Sequence, residues 1–503
     1  MTRPTGTYLK SLTEIALYLE LATPVVEAQI SGLTHNSRQV RKGDLYLALA
    51  GFRTHGARFV DAAVAQGARA ILTDAIGVEI LGEIDIPVLC LSDVRGALGR
   101  LSSWFYNFPS TRFNLVGITG TNGKTTTAHL VDSVWRSANR RTGLIGTIET
   151  RICDTSVPSV RTTPEATDLQ ALFATMLEQE CCDVVMEVSS HALSLGRVDG
   201  THFSVAVFTN LTQDHLDFHE NMDDYFKAKS MLFATNYSDL AVINIDDEYG
   251  AALVRDCRIP IQTFSTAGLN SDWMVTKILR SERGSEFEVQ SREHGLMSVE
   301  IPLMGDHNIA NALAALIVLV QSGISLESAI NGLAAVSGVP GRLERVERGQ
   351  PFTAIVDYAH TPDAVERILE ALRSHSIGRI IGVLGCGGDR DPSKRPLMGA
   401  ALAHGADIAF LTSDNPRSED PYQIIVEMAA GAHGVVGSDI RIEVDRAIAI
   451  SLAVDLAESG DIVLIAGKGH EQGQESLGVV KPFDDREVLA HAIARRMSTG
   501  EFR

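Results

Sequence analysis

Residues 116–127, Val-Gly-Ile-Thr-Gly-Thr-Asn-Gly-Lys-Thr-Thr-Thr, carry an apolar strand into a glycine-containing turn and then into a Lys-Thr pair that opens a helix. Gly120 and Gly123 let backbone N–H groups close around phosphate oxygens. The helix that follows, 128–137, points its positive end at the same place, and Lys124 adds a compact charge. The Thr125 hydroxyl suits Mg²⁺. A strict phosphate-loop motif has glycine where Ile118 stands, and Gly117 is one residue too early, so the stretch is a variant of that motif. The alternative is a tight strand-to-helix turn with a surface lysine.

At 503 residues the chain exceeds what one hydrophobic core holds, and about 150 residues per domain gives roughly three. The net charge of −19 argues against nucleic acid and against an anionic membrane as partners, since both call for basic patches. An acidic enzyme acting on anionic substrates must concentrate positive charge locally. The six cysteines show no metal-ligand spacing, and the adjacent Cys181-Cys182 pair is poorly placed for a disulfide. They are expected to be reduced, buried thiols of a cytoplasmic protein. The first residues lack the basic-then-apolar order of a signal peptide, and the longest apolar run, 312–320, falls far short of the ~20 residues that span a bilayer. A soluble monomer is expected.

Residues 1–112 mix strand-like runs (44–50, 70–73, 87–91) with an alanine-rich helical segment at 59–66, as in a small α/β domain. Polar and basic residues flank a buried strand there, at His35-Asn36-Ser37-Arg38 and Phe52-Arg53-Thr54, with a solvated loop as the alternative reading. From 113 to 337, strands at 115–119, 183–188, 205–209 and 240–244 alternate with helical patterns, which predicts βαβ units and a mostly parallel, doubly wound sheet. Ligands in such sheets sit at the carboxyl ends of strands, where this chain places Glu187, Ser189-Ser190-His191 and Asn210 through His219. Further on come Lys227-Ala228-Lys229 and Asp306-His307-Asn308-Ile309-Ala310-Asn311. Each has a bland reading as well: a strand-end salt bridge for Glu187, a polar helix face for His215 and His219, caps for Asn308 and Asn311. Together they favour a metal and nucleotide site.

Gly338-Val339-Pro340-Gly341 is a turn-rich linker, after which 338–503 alternates again, with strands at 352–356, 379–384, 408–412 and 461–466 and helices from Pro362, Pro396 and Pro421. This is a second, Rossmann-like α/β fold. Gly385-Cys386-Gly387-Gly388 invites a dinucleotide reading but lacks the third glycine of that fingerprint. Arg390, Asp414, Arg417 and Glu471 are expected to converge at one sheet edge, a charge set suited to a zwitterion.

With these motifs in hand, the sequence resembles the Mur ligases, ATP-dependent amide-forming enzymes of peptidoglycan synthesis, over essentially the whole chain. Asp414-Asn415-Pro416-Arg417 matches the branch that adds meso-diaminopimelate to UDP-N-acetylmuramoyl-L-alanyl-D-glutamate. The resemblance implies an N-terminal uridine-nucleotide domain, a central ATPase domain and a C-terminal domain that binds the amino acid. By motif, Gly120, Thr121, Asn122, Gly123, Lys124, Thr125 and Thr126 hold the ATP phosphates, with Asn308, Arg342 and Asp357 close to the nucleotide. Thr125, Glu187, His215 and Lys229 match the Mg²⁺ set, Lys229 as a carbamate, because an ammonium repels the cation whereas a carbamate oxygen is a hard ligand. His35, Ser37, Phe52, Arg53, Thr54, Thr162, Thr163, Ser189 and Arg197 match residues that grip the UDP-muramoyl dipeptide, although the sequence at 52–54 departs from the family's. Arg390, Asp414, Asn415, Pro416, Arg417, Gly467 and Glu471 match the diaminopimelate site.

The implied chemistry is attack of the D-glutamyl γ-carboxylate on the ATP γ-phosphate, then attack of a diaminopimelate amino group on the acyl phosphate. Two other readings share the phosphate loop. One is a folylpolyglutamate-synthase-like ligase, the other a nucleotide switch that makes no bond. A further alternative for Arg417 is a turn cap paired with Glu419 or Asp420.

Overall fold

The computed structural model describes residues 3–6, 8–24, 26–51, 54–281, 284–373 and 376–499. Phe52 and Arg53, both expected in the uridine loop, lie outside the described residues. Three α/β domains follow one another along the chain.

The first is a four-stranded parallel sheet in the order Gly32–Thr34, Asp44–Ala48, Ala70–Thr73, Val88–Cys90. Three of these strands are the expected ones. Gly32–Thr34 is too short to show a period, although all three of its residues are buried. Helix Val94–Phe105 buries Leu98, Leu101 and Phe105 in one cluster with Ala166, Ala171 and Ala174 of helix Ala166–Glu178, which joins this sheet to the central one.

The central sheet has eleven strands. The four expected strands lie side by side within it, as Asp183–Glu187, Asn114–Thr119, Phe203–Phe208 and Ser238–Asn244, all parallel. Thr142–Ile145 and Ile261–Ser265 extend the parallel part, one on each side. The sheet is mostly parallel, as expected, and turns antiparallel at both edges. Glu149–Ile152 and Thr155–Pro158 form a hairpin on one side, and Trp273–Ser281, Gly284–Ser291 and Gly295–Ile301 a meander on the other. The meander escapes a helix-alternation reading because its strands are half exposed: Phe287 and Val289 are buried, and Glu286, Glu288 and Glu300 stand between the apolar residues. Its apolar face packs on helices Asp306–Gln321 and Leu326–Ala334. Buried on nearly every side, Asp306–Gln321 is apolar almost all round, which accounts for the run at 312–320.

The third domain has a six-stranded sheet in the order Glu344–Arg345, Thr353–Asp357, Ile462–Ala466, Ile380–Cys386, Ile408–Ser413, Asp439–Ile442, parallel but for its first strand. Helices Pro362–Arg373 and Pro421–Ala432 start where expected. The helix expected from Pro396 starts two residues earlier, as Lys394–Gly405, and leaves the proline in the first turn, where a missing N–H costs nothing. Helices Arg446–Leu456 and Asp485–Thr499 and the hairpin Gly473–Ser476/Val479–Pro482 have no counterpart in the sequence reading. All six cysteines are free. Only Cys181 and Cys386 are buried, so the expectation of uniformly buried thiols fails at exposed Cys90, on an edge strand, and at Cys182, just ahead of a strand.

The first residues of two helices of the third domain, Arg446–Leu456 and Asp485–Thr499, are tied together by a buried ion pair. Arg446 donates from Nε and Nη2 to the two Asp485 oxygens at 2.7 Å each, and from Nη2 to Ala466 O at 2.8 Å. Both side chains are 0% exposed. Removing one partner from such a pair leaves a buried charge and costs about 3–5 kcal/mol. Asp485→Ala is therefore expected to lower the unfolding free energy of the C-terminal domain, read from urea titration, by that amount, whereas Asp455→Ala, in an exposed pair with Arg495, shifts it by less than about 1 kcal/mol.

Candidate active site

Strand Asn114–Thr119 ends directly on the phosphate loop, and helix Lys124–Ser137 begins directly after it. Gly120 (φ 142°) and Gly123 (φ 89°) sit in the left-handed region. Neither has room for a side chain: a Cβ would fall 1.9 Å from Thr209 Oγ1 at Gly120 and 2.2 Å from Asn311 Oδ1 at Gly123. Residues that follow the neighbouring strand mould the loop. Thr209 Oγ1 donates to Asn122 O at 2.6 Å, and Asn122 N donates to Asn210 Oδ1 at 2.9 Å. Thr121 N donates to Asn210 O at 2.8 Å. Lys124 Nζ donates to Gly120 O (2.9 Å) and Thr121 O (2.8 Å), within reach of anything the loop's N–H groups hold.

Glu187 is 1% exposed at the end of the adjacent strand. Its Oε2 accepts from Thr125 Oγ1 (3.0 Å) and Thr147 Oγ1 (2.9 Å), and its Oε1 from Thr147 N (2.8 Å). Thr147 was not singled out in the sequence, because only its neighbours in space give it a role. Its hydroxyl also lies 3.0 Å from Thr162 Oγ1. Thr163 Oγ1 donates to Glu187 O at 2.9 Å and accepts from Ser189 N at 3.1 Å. Among the described residues no group of three or more His, Cys, Asp or Glu side chains is arranged to hold a metal. One carboxylate beside one hydroxyl at a phosphate loop nevertheless fits Mg²⁺, which keeps waters and shares phosphate oxygens instead of filling a protein cage.

Lys229, on helix Met222–Ser230, is 1% exposed, donates to Gly120 O at 2.8 Å and lies 4.5 Å over the Tyr225 ring. Burial pushes its amine well below the ordinary lysine range; Lys124 adds repulsion, and Asp214 opposes both. His215 (φ 56°) and His219 stand in the turn ahead of this helix, not on a polar helix face. Burial lowers the His215 pKa to about 3, keeping it a neutral imidazole. His219 is held by Ser190 Oγ at 2.9 Å and Asp224 Oδ2 at 3.1 Å.

A cavity of about 540 Å³ opens between the phosphate loop and the third domain, lined among others by Asn308, Asn311, Arg342, Asp357, Tyr358 and His360. Asn308 and Asn311 act as loop supports and not as helix caps: Asn308 donates to Met304 O at 2.8 Å and accepts from Asn311 at 3.1 Å. Arg342 donates from Nη2 to Thr125 Oγ1 at 3.1 Å and stacks 4.7 Å from the Tyr358 ring. Burial raises the Asp357 pKa, and Arg342 opposes that shift. Asn122 reaches the third domain as well, at Asp363 Oδ2 (3.1 Å). Burial works to raise the Asp214 pKa, but His215, with His360 and Lys394 of the third domain, holds it below the ordinary carboxylate value.

On the opposite side, His35 Nδ1 lies 2.9 Å from Thr167 Oγ1. Ser37 opens a short 3₁₀ turn whose cap is Asn36, and Thr54 O closes the loop by accepting from Gly51 N at 3.2 Å. Arg197 pairs with Glu165 at 3.0 Å and lies 3.4 Å from Thr163 O, with its buried Nε unpartnered among the described residues.

Asp414, Arg417 and Glu471 of the charged set lie in the loops that follow strands Ile408–Ser413 and Ile462–Ala466, and Arg390 in the loop after Ile380–Cys386. The centre of the set is a residue to which the sequence assigns no role: Lys468, 0% exposed, donates to Asn415 Oδ1 (3.1 Å) and Glu471 Oε2 (3.0 Å) and lies 3.5 Å from Asp414 Oδ1. Its three acceptors lie 3 to 54 positions away along the chain, so no local motif reveals it. A Cβ at Gly388 would fall 2.0 Å from Pro416 O, and one at Gly467 (φ 110°) 3.0 Å from Asp414 Oδ2. The glycine cluster thus serves close approach of these loops. Gly387 lies between Arg417 Nη1 and Arg390 Cγ, 3.0 and 3.8 Å from its Cβ position. Arg417 does not pair with Glu419 or Asp420. Glu419 is taken by Arg395 at 2.8 Å, and Arg417 donates from Nη1 to Gly388 O at 2.6 Å and faces Glu475.

The sequence matches three family models in turn: Mur ligase family, catalytic domain, at 29–106; Mur ligase middle domain at 118–319; and Mur ligase, glutamate ligase domain, at 341–469. It is 51% identical over 497 residues to the UDP-N-acetylmuramoyl-L-alanyl-D-glutamate–2,6-diaminopimelate ligase of Streptomyces coelicolor, covering 98% of both chains. It is 45% identical over 489 residues to the ligase of the same name from Corynebacterium glutamicum, covering 95% of this chain and 94% of that one. A solved structure of a 2,6-diaminopimelate ligase of that name matches at TM-score 0.66 and 34% identity, over 93% of this chain and 95% of the other. The folylpolyglutamate synthase of Mycobacterium tuberculosis, at 20% identity and TM-score 0.60 over 80% of this chain and 96% of that one, shares the fold. The chain belongs to the Mur ligase family.

Proposed function

We propose that this ATP-dependent ligase joins an amino group of meso-2,6-diaminopimelate to the D-glutamyl γ-carboxylate of UDP-N-acetylmuramoyl-L-alanyl-D-glutamate, through an acyl phosphate, in cytoplasmic peptidoglycan precursor synthesis. Diaminopimelate ligases 45–51% identical over nearly the whole chain support this. The observation that carries it is the meeting, at one junction, of the phosphate-loop Lys124, the Thr125–Glu187 pair and Arg342 of the third domain. Residues 1–112 take the uridine nucleotide, 113–337 take ATP and 338–503 take the amino acid. The chain acts as a monomer with no nucleic-acid or membrane partner; among the described residues no helix is long and apolar enough to cross a bilayer.

In this reading Lys124 leaves the carbonyls of its own loop for the γ-phosphate and neutralises charge as the carboxylate attacks. Arg342 reaches the same group from the third domain, so the loop is complete only when that domain is packed against it. Asn308 and Asp357 flank the nucleotide, and Thr162, Thr163, Ser189, Arg197, His35 and Ser37 hold the muramoyl dipeptide. Bound Mg²⁺ supplies Lewis-acid neutralisation of phosphate charge, and Thr125, Glu187, His215 and carbamylated Lys229 are the residues that would hold it. Lys229 is suited to carbamylation because burial favours its neutral amine: the amine nitrogen bonds to the carbon of CO₂ and releases a proton, leaving a carbamate. Carbamylation therefore rises as pH climbs through the depressed pKa of Lys229, and falls below it as the amine is protonated.

Phosphate release in the presence of the muramoyl dipeptide, measured against a panel of amino acids, tests the reaction. It is expected to depend on meso-diaminopimelate; turnover indifferent to amino acid would instead mark a nucleotide switch. Lys124→Ala is expected to lower kcat by about 10³-fold or more with an unchanged thermal transition. Near-normal turnover would refute its role. Lys229→Ala is expected to be nearly inactive and partly rescued by a small added carboxylate; at fixed dissolved CO₂, wild-type activity should rise with pH as the neutral amine forms. Equal activity in CO₂-depleted and bicarbonate-containing buffer would exclude the carbamate. Arg417→Ala is expected to lose mainly diaminopimelate activity, since a guanidinium takes a distal carboxylate through two parallel bonds and lysine offers none. The ratio of kcat/KM for diaminopimelate to that for lysine should fall at least ~10-fold, with KM for ATP little changed.

A further inference from the structure

Glu475 lies on the hairpin Gly473–Ser476/Val479–Pro482, whose second strand is exposed throughout. The backbone of this hairpin is laced to the segment that carries Arg417. Gln474 Nε2 donates to Asp414 O at 2.7 Å, and Glu475 N to Asn415 Oδ1 at 2.9 Å. Arg417 N donates to Glu475 O at 3.1 Å, and Leu477 N to Arg417 O at 2.6 Å. Arg417 is thereby held at φ 51°, a conformation that a non-glycine residue adopts only when its surroundings impose it. The Glu475 carboxylate follows from this lacing: its Oε2 lies 3.4 Å from Arg417 Nε, with side chains 41% and 25% exposed respectively.

Among the described residues the Arg417 side chain meets the Gly388 carbonyl and this carboxylate. The carbonyl bond, 2.6 Å from a charged donor, fixes one arm of the guanidinium, whereas the single part-exposed contact with Glu475 at 3.4 Å is worth far less than two parallel charge-assisted bonds and is the one an incoming carboxylate can replace. Resting on the amino-acid site proposed above, we infer that Glu475 is a specificity-determining gate on Arg417, a built-in carboxylate that occupies the guanidinium until the distal carboxylate of the amino acid displaces it. The displacement has two consequences. An amino acid with a distal carboxylate works against Glu475, so its KM is higher than the guanidinium alone would give. An amino acid without that group leaves the Glu475–Arg417 contact intact and gains nothing from its removal.

Glu475→Gln keeps the length of the side chain and removes the competing charge. It is expected to lower KM for meso-diaminopimelate about two- to fivefold, the range an exposed ion pair allows, with kcat, KM for ATP and kcat/KM for lysine unchanged. Glu475→Ala should move KM in the same direction, and thermal transitions equal to wild type separate a folding defect from a gate. A KM for diaminopimelate that is unchanged or raised in Glu475→Gln overturns the inference. So does a KM raised for diaminopimelate and lysine alike, which would make Glu475 a partner of the distal ammonium. A wild type that ignores diaminopimelate overturns the amino-acid assignment and the gate with it; a responsive wild type with an indifferent Glu475→Gln overturns the gate alone.

Discussion

Two lysine side-chain nitrogens meet on one carbonyl oxygen, that of Gly120, where Lys124 and Lys229 donate from 2.9 and 2.8 Å. Like charges placed together in a dry site repel, and here the repulsion adds to burial in lowering the Lys229 pKa. The surrounding structure serves to hold this pair. Gly120 supplies the carbonyl only because its φ of 142° and missing side chain let the loop run against Thr209. Tyr225 offers its ring face to Lys229, and Asp214 opposes the depression of both lysine pKa values. In the function proposed above, phosphates answer the charge on Lys124 and a carbamate gives Lys229 a negative one.

The third domain completes this electrostatic arrangement at several points. Arg342 donates to Thr125, Asp363 accepts from Asn122, and His360 and Lys394 face Asp214. The neighbourhood of Asp214, His215, His360 and Lys394 therefore depends on how the central and third domains pack. Burial is the common lever, because the same contacts that exclude water from the junction lower the pKa values of His215 and His360 and keep both imidazoles neutral. Charge at the junction then rests on lysine, arginine and carboxylate groups that neighbouring elements hold in fixed geometry.

What the sequence disclosed follows from which interactions are local. The phosphate loop was legible because its chemistry lies within eight residues and its glycines are needed where they stand. Strand ends rich in polar residues were legible because a parallel sheet delivers them all to one side. Lys468 and Thr147 were not, since each is defined by acceptors brought from distant strands. The edge meander was missed for a different reason: a half-exposed antiparallel strand mixes charges into its apolar period, so it imitates neither a buried strand nor an amphipathic helix. The hairpin bearing Glu475 carries least signal of all, because its second strand has no buried residue.

The distribution of charge binds these observations together. A chain with 63 acidic and 44 basic residues presents anions with a field that on average repels them. Basic side chains are nonetheless placed locally: Lys124, Lys229 and Arg342 lie at the phosphate loop, Arg197 lies beside Thr163, and Arg417 and Lys468 lie where strands of the third sheet end. Several of these cations are already matched by a carboxylate, as Arg197 is by Glu165, Arg417 by Glu475 and Lys468 by Glu471. Pairing of this kind keeps a cation ordered without a ligand and sets a threshold that an arriving anion must exceed. Only a group that makes better bonds than the resident carboxylate displaces it, so discrimination arises from the difference between two partners of one cation and not from the charge of the cation alone.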